Sequence, residues 1–146
     1  MILKKRILSV DYGDSRTGLA LSDPSGFLAQ GIGCLREKGM RNVARMVAET
    51  AKEKEACKIV VGLPINMDGS EGFRAEKVRA FADLLKAETD LPIVFYDERL
   101  STMQAHRIMN MTETFGKKRK DNVDTLSAQI ILQDYLDANR GKGDEQ

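Results

Sequence analysis

The chain has no tryptophan, a single histidine, two cysteines, three prolines and 5% aromatic residues. Each scarcity excludes something. So few aromatics give little support for a platform that stacks the bases of single strands. Cys34 and Cys57 stand in no metal-ligand spacing, and two cysteines make no disulfide framework. Buried or idle thiols are expected. His106 has no second histidine or cysteine at ligand spacing, so a surface or packing role is expected. No apolar stretch approaches the roughly 20 residues of a membrane-spanning helix. The first residues lack the apolar core and cleavage site of a secretory signal, which points to a cytoplasmic location. Neither sign of charge dominates: 23 Lys and Arg stand against 22 Asp and Glu. Bulk charge therefore does not mark a nucleic-acid binder. The nucleotide-binding pattern Gly-x-x-x-x-Gly-Lys-Ser/Thr is also absent.

What is there suits one domain with one substantial core: 146 residues, 42% hydrophobic and 31% charged. A single domain over residues 1–140 and a flexible tail over 141–146 are expected. The pattern predicts strands at 5–10, 18–22 and 27–34, with a turn at Asp23-Pro24-Ser25-Gly26 between the last two. A helix follows at 42–55, with Val43, Met46, Val47, Thr50 and Ala51 on one stripe. Next come a strand at 58–62, a helix at 71–89 with Val78, Phe81, Ala82 and Leu85 inward, and a strand at 91–97. A helix at 101–111, a basic loop at 112–120 and a last helix at 122–139 complete the path. An opening meander followed by strand–helix alternation predicts an α/β fold: one mixed sheet with helices on its faces. Its later strands should be parallel, because helical crossovers join them.

Three carboxylates stand at telling places. Asp11 ends the apolar run Ile7-Leu8-Ser9-Val10 and precedes Tyr12-Gly13. Glu98 follows the run Ile93-Val94-Phe95-Tyr96-Asp97. Asp124 opens the last helix on a stripe with Ala128, Ile131, Leu132 and Tyr135. Acids at the ends of packed elements can hold a divalent metal through oxygen. Each also has an ordinary explanation. Asp11 before a glycine suits a turn. The segment Asp97-Glu98-Arg99 suits a surface salt bridge beside a Ser101 or Thr102 helix cap. Asp124 suits a capping box with Asp121 as the cap. Arg99 can grip a carboxylate or a phosphate with its planar fork. The hairpin around Arg16 can turn backbone N–H groups toward a phosphate, or be merely a hairpin. The loop Gly62-Leu63-Pro64-Ile65-Asn66-Met67-Asp68-Gly69-Ser70 leads to a helix N-terminus that can receive a phosphate or simply connect. Lys117-Lys118-Arg119-Lys120 is a concentrated basic run.

Four stretches in order resemble the YqgF-type family of pre-16S rRNA nucleases, which look like Holliday-junction resolvases. They are Val10-Asp11-Tyr12-Gly13 with Arg16 and Gly18, Val61-Gly62-Leu63-Pro64 with Asn66-Met67-Asp68-Gly69-Ser70, Asp97-Glu98-Arg99-Leu100-Ser101-Thr102, and Val123-Asp124 with Ala128, Ile130-Ile131-Leu132 and Tyr135-Leu136. The resemblance spans nearly the whole chain. It implies a ribonuclease H-like fold with a five-stranded mixed sheet flanked by helices. It implies Asp11, Glu98 and Asp124 as a catalytic triad holding Mg²⁺ or Mn²⁺, with two ions about 4 Å apart. Without a metal, three clustered carboxylates would repel one another. It further implies hydrolysis of phosphodiester bonds at the 5′ end of the small-subunit ribosomal RNA precursor, with the assembling subunit as a possible partner. Arg16, Arg99, Lys117, Lys118 and Arg119 would then meet phosphates. Asp121 has the spacing of a helper acid found in related resolvases. A junction-cutting DNA resolvase would use the same acids. A non-catalytic nucleic-acid-binding module would usually show a broken acidic set, and here the set is complete. A sugar-kinase-like phosphotransferase would need two such lobes, and the chain has room for one.

Overall fold

The computed structural model describes residues 6–100 and 117–140, the last helix by its backbone alone as far as residue 124. Among these residues the elements are β1 (Ile7–Asp11), β2 (Thr17–Ser22), β3 (Ala29–Leu35), α1 (Met40–Glu53), β4 (Lys58–Leu63), α2 (Phe73–Lys86), β5 (Ile93–Asp97), a single 3₁₀ turn (Glu98–Leu100) and α3 (Lys117–Asn139). The predicted helix at 101–111, with His106, Ser101 and Thr102, and the tail at 141–146 lie outside the described residues.

The strands form one sheet in the order β3-β2-β1-β4-β5. β1 pairs antiparallel with β2, and β2 with β3. β1 pairs parallel with β4, and β4 with β5. This is the mixed sheet expected, with the meander first and the helical crossovers after it. β1 is central and buried on both faces, which is why its sequence is nearly all apolar. Leu8 and Val10 face one core, shared with Val43, Val47, Phe81 and Leu85 of α1 and α2. Ile7 faces the other, shared with Ala128, Ile131, Leu132 and Tyr135 of α3. Two residues further along the same face, the Ser9 hydroxyl donates to the Ala128 carbonyl at 2.7 Å.

The inward face of α2 is the one the spacing predicts: Val78, Phe81, Ala82 and Leu85 are all buried. On α1 the buried stripe is Val43, Ala44, Val47, Ala48 and Ala51, so Met46 and Thr50 sit at its margin. Alanines let α1 and α2 approach closely, and the larger Met46 is turned to the edge. Cys34 is half-buried and Cys57 exposed, and both are free thiols.

α3 corrects the sequence reading most. It begins at Lys117, so Lys117-Lys118-Arg119-Lys120 is helix rather than loop. Lysine and arginine are good helix formers, and no glycine or proline interrupts 117–139. Asp121 is therefore no N-cap, and Asp124 lies about two turns inside the helix. The capping explanation for these two acids falls away.

α3 lies very close to the sheet. A Cβ added at Gly31 on β3 would sit 2.2 Å from Thr125 Cγ2. The Gln129 side chain donates to the Ala29 carbonyl at 3.2 Å. Gln133 accepts from the Ala29 N–H at 2.9 Å and donates to the Phe27 carbonyl at 2.9 Å. These amides cover the start of β3, an edge strand whose backbone would otherwise be open. Threonine is stiff on a helix, so it cannot yield easily to a new methyl group. Gly31→Ala should lower stability by about 1–3 kcal/mol in urea unfolding, the usual cost of overpacking. An unchanged midpoint would show that the helix is not seated this tightly.

Candidate active site

Asp11 is the last residue of β1 and is 9% exposed. Strand alternation puts its side chain on the same face as Ile7 and Ser9, toward α3. Its partner across β2 is Gly18. On the other side Val10 pairs with Val61, so Gly62 is the next residue along β4. Both neighbouring strands thus present glycine beside this carboxylate. The sheet there is open, and no side chain crowds the oxygens from those two positions.

Glu98 enters the same region from β5. It begins the 3₁₀ turn just past the strand and is half-buried. Its Oε2 lies 2.9 Å from where a Cβ on Gly62 would stand, next to Ile131 Cδ1 at 2.6 Å. The Glu98 carboxylate therefore folds over the bare backbone of β4 on the α3 face, toward the strand that carries Asp11. A larger residue at Gly62 would take that place.

The direction of α3 follows from its contacts. Its C-terminal residues Tyr135, Leu136 and Arg140 line a cavity of about 280 Å³ with Ile7, Phe27 and Lys58, where β1 and β4 begin. Ala128 lies over Ser9, in the middle of β1. The helix thus runs antiparallel to β1, and the backbone of Asp124, one turn before Ala128, reaches the Asp11 end. Asp11 and Glu98 are brought together with that stretch of backbone. The Asp124 and Asp121 side chains lie outside the described residues, as do those of Lys117, Lys118 and Arg119. Among the described residues there is no group of three or more histidines, cysteines, aspartates or glutamates placed to hold a metal.

Arg99 takes the ion-pair option. Its Nη2 donates to Asp97 Oδ2 at 2.8 Å, its Nε to both Asp97 oxygens, and its N–H to Oδ1 at 2.9 Å. This grip holds the Asp97 carboxyl below the usual carboxylate range. Arg16 is half-buried at the end of the β1–β2 turn. The turn is tight, since a Cβ on Gly13 would come within 2.5 Å of the Arg16 carbonyl oxygen.

The β4–α2 loop is ordered by its own side chains. The Gly69 N–H donates to the Asn66 carbonyl at 2.8 Å, with Gly69 at a φ of 90° that favours glycine. Ser70 donates to Asp68 Oδ1 from its N–H at 2.9 Å and its hydroxyl at 2.6 Å. The exposed Asp68 carboxyl is held low, first by the Ser70 hydroxyl and then by the Ser70 N–H. α2 then starts at Phe73 with Gly72 as its cap residue and no side chain on the first N–H groups.

Sequence reasoning missed the role of Ser9. The available signal was a polar residue inside the apolar run of β1. It also passed over Phe73, an aromatic side chain left 70% exposed at this end of the sheet.

Ser70→Ala should remove the hydroxyl's bonds to Asp68 and Asn66 and leave the backbone bonds of the β4–α2 loop in place. The Asp68 titration, followed by NMR, should then move up toward the ordinary carboxylate range. The sign follows from a depressed pKa: the loop's preference for ionised Asp68 is complete above the ordinary range and fades as pH falls below it. An unmoved Asp68 titration would contradict the assigned bond.

Comparison with known proteins agrees with this fold. The family model RuvX, described as Holliday junction resolvase, matches residues 5–138. A relative from Ruminiclostridium cellulolyticum is 42% identical over 137 residues, covering 93% of this chain and 96% of its own. One from Clostridium acetobutylicum is 44% identical over 133 residues, covering 91% and 98%. Both carry the assigned name of pre-16S rRNA nuclease. Among solved structures, Thermus thermophilus RuvC in complex with a Holliday junction substrate superimposes with a TM-score of 0.61 at 13% identity, covering 94% of this chain and 96% of that one. At that identity the likeness speaks for the fold, which is ribonuclease H-like. Matched by the family model over residues 5–138 and by relatives 42–44% identical over nine-tenths of its length, the chain belongs to the RuvX family of nucleases.

Proposed function

We propose that the chain is a metal-dependent nuclease that hydrolyses phosphodiester bonds and matures the 5′ end of pre-16S rRNA. The observation that carries this reading is that Asp11 ends its strand between Gly18 and the strand of Gly62, while the Glu98 carboxylate lies over Gly62. The relatives' shared name supports the substrate, at 42–44% identity over more than nine-tenths of the chain. The reading as a Holliday junction resolvase draws on the description of the family model and on a structural likeness at 13% identity, and is the less supported.

The residues fit a hard divalent ion. Carboxylate oxygens are the donors such ions prefer, and glycines at 18 and 62 leave room for an ion and a phosphate. Asp11, Glu98 and Asp124 would hold Mg²⁺ or Mn²⁺, with two ions as the expected number. When bound, such ions neutralise phosphate charge and ease the deprotonation of water. The chain's own contribution is placement. Asp11 is fixed by a central strand, so its oxygens hold position without an ordering cost at the moment of reaction. Glu98 is braced by Ile131 and by the turn that the Asp97–Arg99 grip closes. Asp124 would descend from α3, whose register is set by Ser9. Arg16, Lys117, Lys118 and Arg119 would meet phosphates along the RNA. Arg99 would do so only by sharing its fork with Asp97. No described helix is long and apolar enough to cross a membrane. A cytoplasmic site of action, beside the assembling ribosomal subunit, suits the proposed substrate.

The test is cleavage of a precursor rRNA fragment with Mg²⁺ or Mn²⁺, wild type beside Asp11→Asn. Losing an outer partner of a metal site costs about 10–100-fold. Loss of a direct ligand should therefore cut the rate by more than about a hundredfold while the thermal unfolding profile stays that of a folded protein. Metal-dependent cleavage retained in Asp11→Asn would overturn the assignment. A four-way DNA junction cut in preference to the RNA would favour the resolvase reading.

A further inference from the structure

The aromatic content of the chain gives little support for base stacking, yet one ring is placed for it. Phe73 opens α2 and is 70% exposed, an unusual position for a phenylalanine in a protein with so few aromatic residues. The Lys77 ammonium, one turn on, lies 4.6 Å from the centre of its ring. That ammonium also pairs with Asp14 Oδ1 at 2.9 Å. Asp14 belongs to the turn that leaves β1, three residues past Asp11. Phe73 is thus tied by one lysine to the turn that carries the catalytic strand's end.

Beside the ring lies a cavity of about 210 Å³, lined by Tyr12, Gly13, Asp14, Arg74, Lys77 and Val78. Tyr12 is the residue directly after Asp11, and its ring is held by stacking on Phe81 at 4.5 Å between centroids. Arg74 has no hydrogen-bond or ion-pair partner among the described residues. The exposed ring, the unpaired guanidinium and the lysine share one arc of α2. Met67 on the β4–α2 loop and Leu100 past β5 are likewise 72% and 71% exposed at this end of the sheet. An apolar ring backed by cations and facing water matches a nucleotide, whose base has an apolar face and whose phosphate is an anion.

We propose that Phe73, Arg74 and Lys77 form a subsite for one unpaired RNA nucleotide next to the scissile phosphate. The base stacks on Phe73, and its phosphate enters the cavity between Tyr12-Gly13 and Arg74. Lys77 holds the ring from behind while Asp14 fixes the lysine. A base can reach such a ring only when it is out of a duplex, so the subsite selects single-stranded RNA. This inference rests on the proposed nuclease reading and specifies how its substrate is held.

The chain has no tryptophan, so Phe73→Trp installs the sole tryptophan at the subsite, read apart from the three tyrosines by excitation at the red edge of the indole band. Binding is measured in EDTA, which prevents metal-dependent cleavage, with a labelled ten-nucleotide single-stranded RNA followed by anisotropy and the tryptophan by quenching. Saturable quenching that tracks the anisotropy is expected, with little quenching by a duplex of the same sequence. Phe73→Ala should weaken binding about tenfold, as loss of one stacked base does. Phe73 is exposed and contributes nothing to the buried core, so the variant should fold, and circular dichroism checks that. Arg74→Gln should reduce the slope of log affinity against log salt by about 0.7, one single-strand phosphate contact. RNA binding without quenching, and with Phe73→Ala at full affinity, would overturn the subsite and leave the nuclease reading intact. Quenching by a four-way DNA junction but not by single-stranded RNA would overturn the occupant. Absence of binding to any of these nucleic acids would overturn the subsite, while the nuclease reading stands or falls on the cleavage assay with Mg²⁺ or Mn²⁺.

Discussion

The seat of α3 on the sheet is the contact on which the functional end depends. A buried hydroxyl on β1, Ser9, donates to a backbone carbonyl of α3, Ala128, across 119 residues of sequence. Glycines at 31 and 62 let the helix come down until Thr125 and Ile131 stand where their side chains would be. Ala20, Ala29 and Ala128 are buried in the same layer. Small residues on both surfaces shorten the distance between layers, and hydrogen bonds from Ser9 to Ala128 and between β3 and the Gln129 and Gln133 side chains fix the register along the helix axis. Hydrophobic packing alone would allow the helix to slide by a turn, because apolar contacts are not directional. A slide of one turn would move Asp124 by about 5.4 Å relative to Asp11. Under the proposed nuclease reading, the polar bonds in this layer therefore bear on chemistry as well as stability.

The same glycines serve two ends. Gly62 admits Ile131 from the helix and leaves space for Glu98 at once. Gly18 lies directly across from Asp11. A sheet of ordinary side chains would bury or displace these carboxylates. By omitting side chains at 18 and 62, on both sides of β1, the chain leaves space beside the acid at the end of its central strand. Burial of Asp11 and openness of its neighbours are thereby compatible. The loop bonds of Asn66, Asp68 and Ser70 and the Asp97–Arg99 grip give the surrounding rim fixed shapes.

Much of this was legible in the residues. β1 announced itself as an apolar run closed by an acid and a glycine, and alternation then put Asp11 on a definite face. The strand–helix alternation after residue 40 foretold the parallel half of the sheet, and the α2 stripe was correct residue by residue. Local pattern failed where tertiary contact decides. The basic run at 117–120 reads as loop because its charge has no apolar periodicity, yet it continues a helix anchored further along at Ala128 and Ile131. The α1 stripe shifted by one position because alanines, not the larger Met46, face α2. The exposed Phe73 could not be told from a core aromatic by type, since exposure depends on what the fold places over it. The helix predicted at 101–111 and the Asp124 side chain lie beyond what the described residues can report.

In the proposed nuclease the end of β1 gathers the acids of one metal centre. The most direct measurement is a titration of the folded protein with Mn²⁺, read by paramagnetic broadening of backbone amide resonances. The account predicts saturable broadening centred on Asp11, Gly18, Gly62 and Glu98, reaching the backbone around Asp124 and lost in Asp11→Asn. Broadening spread over surface acids, or centred at the opposite end of the sheet around Lys58 and Tyr135, would contradict it.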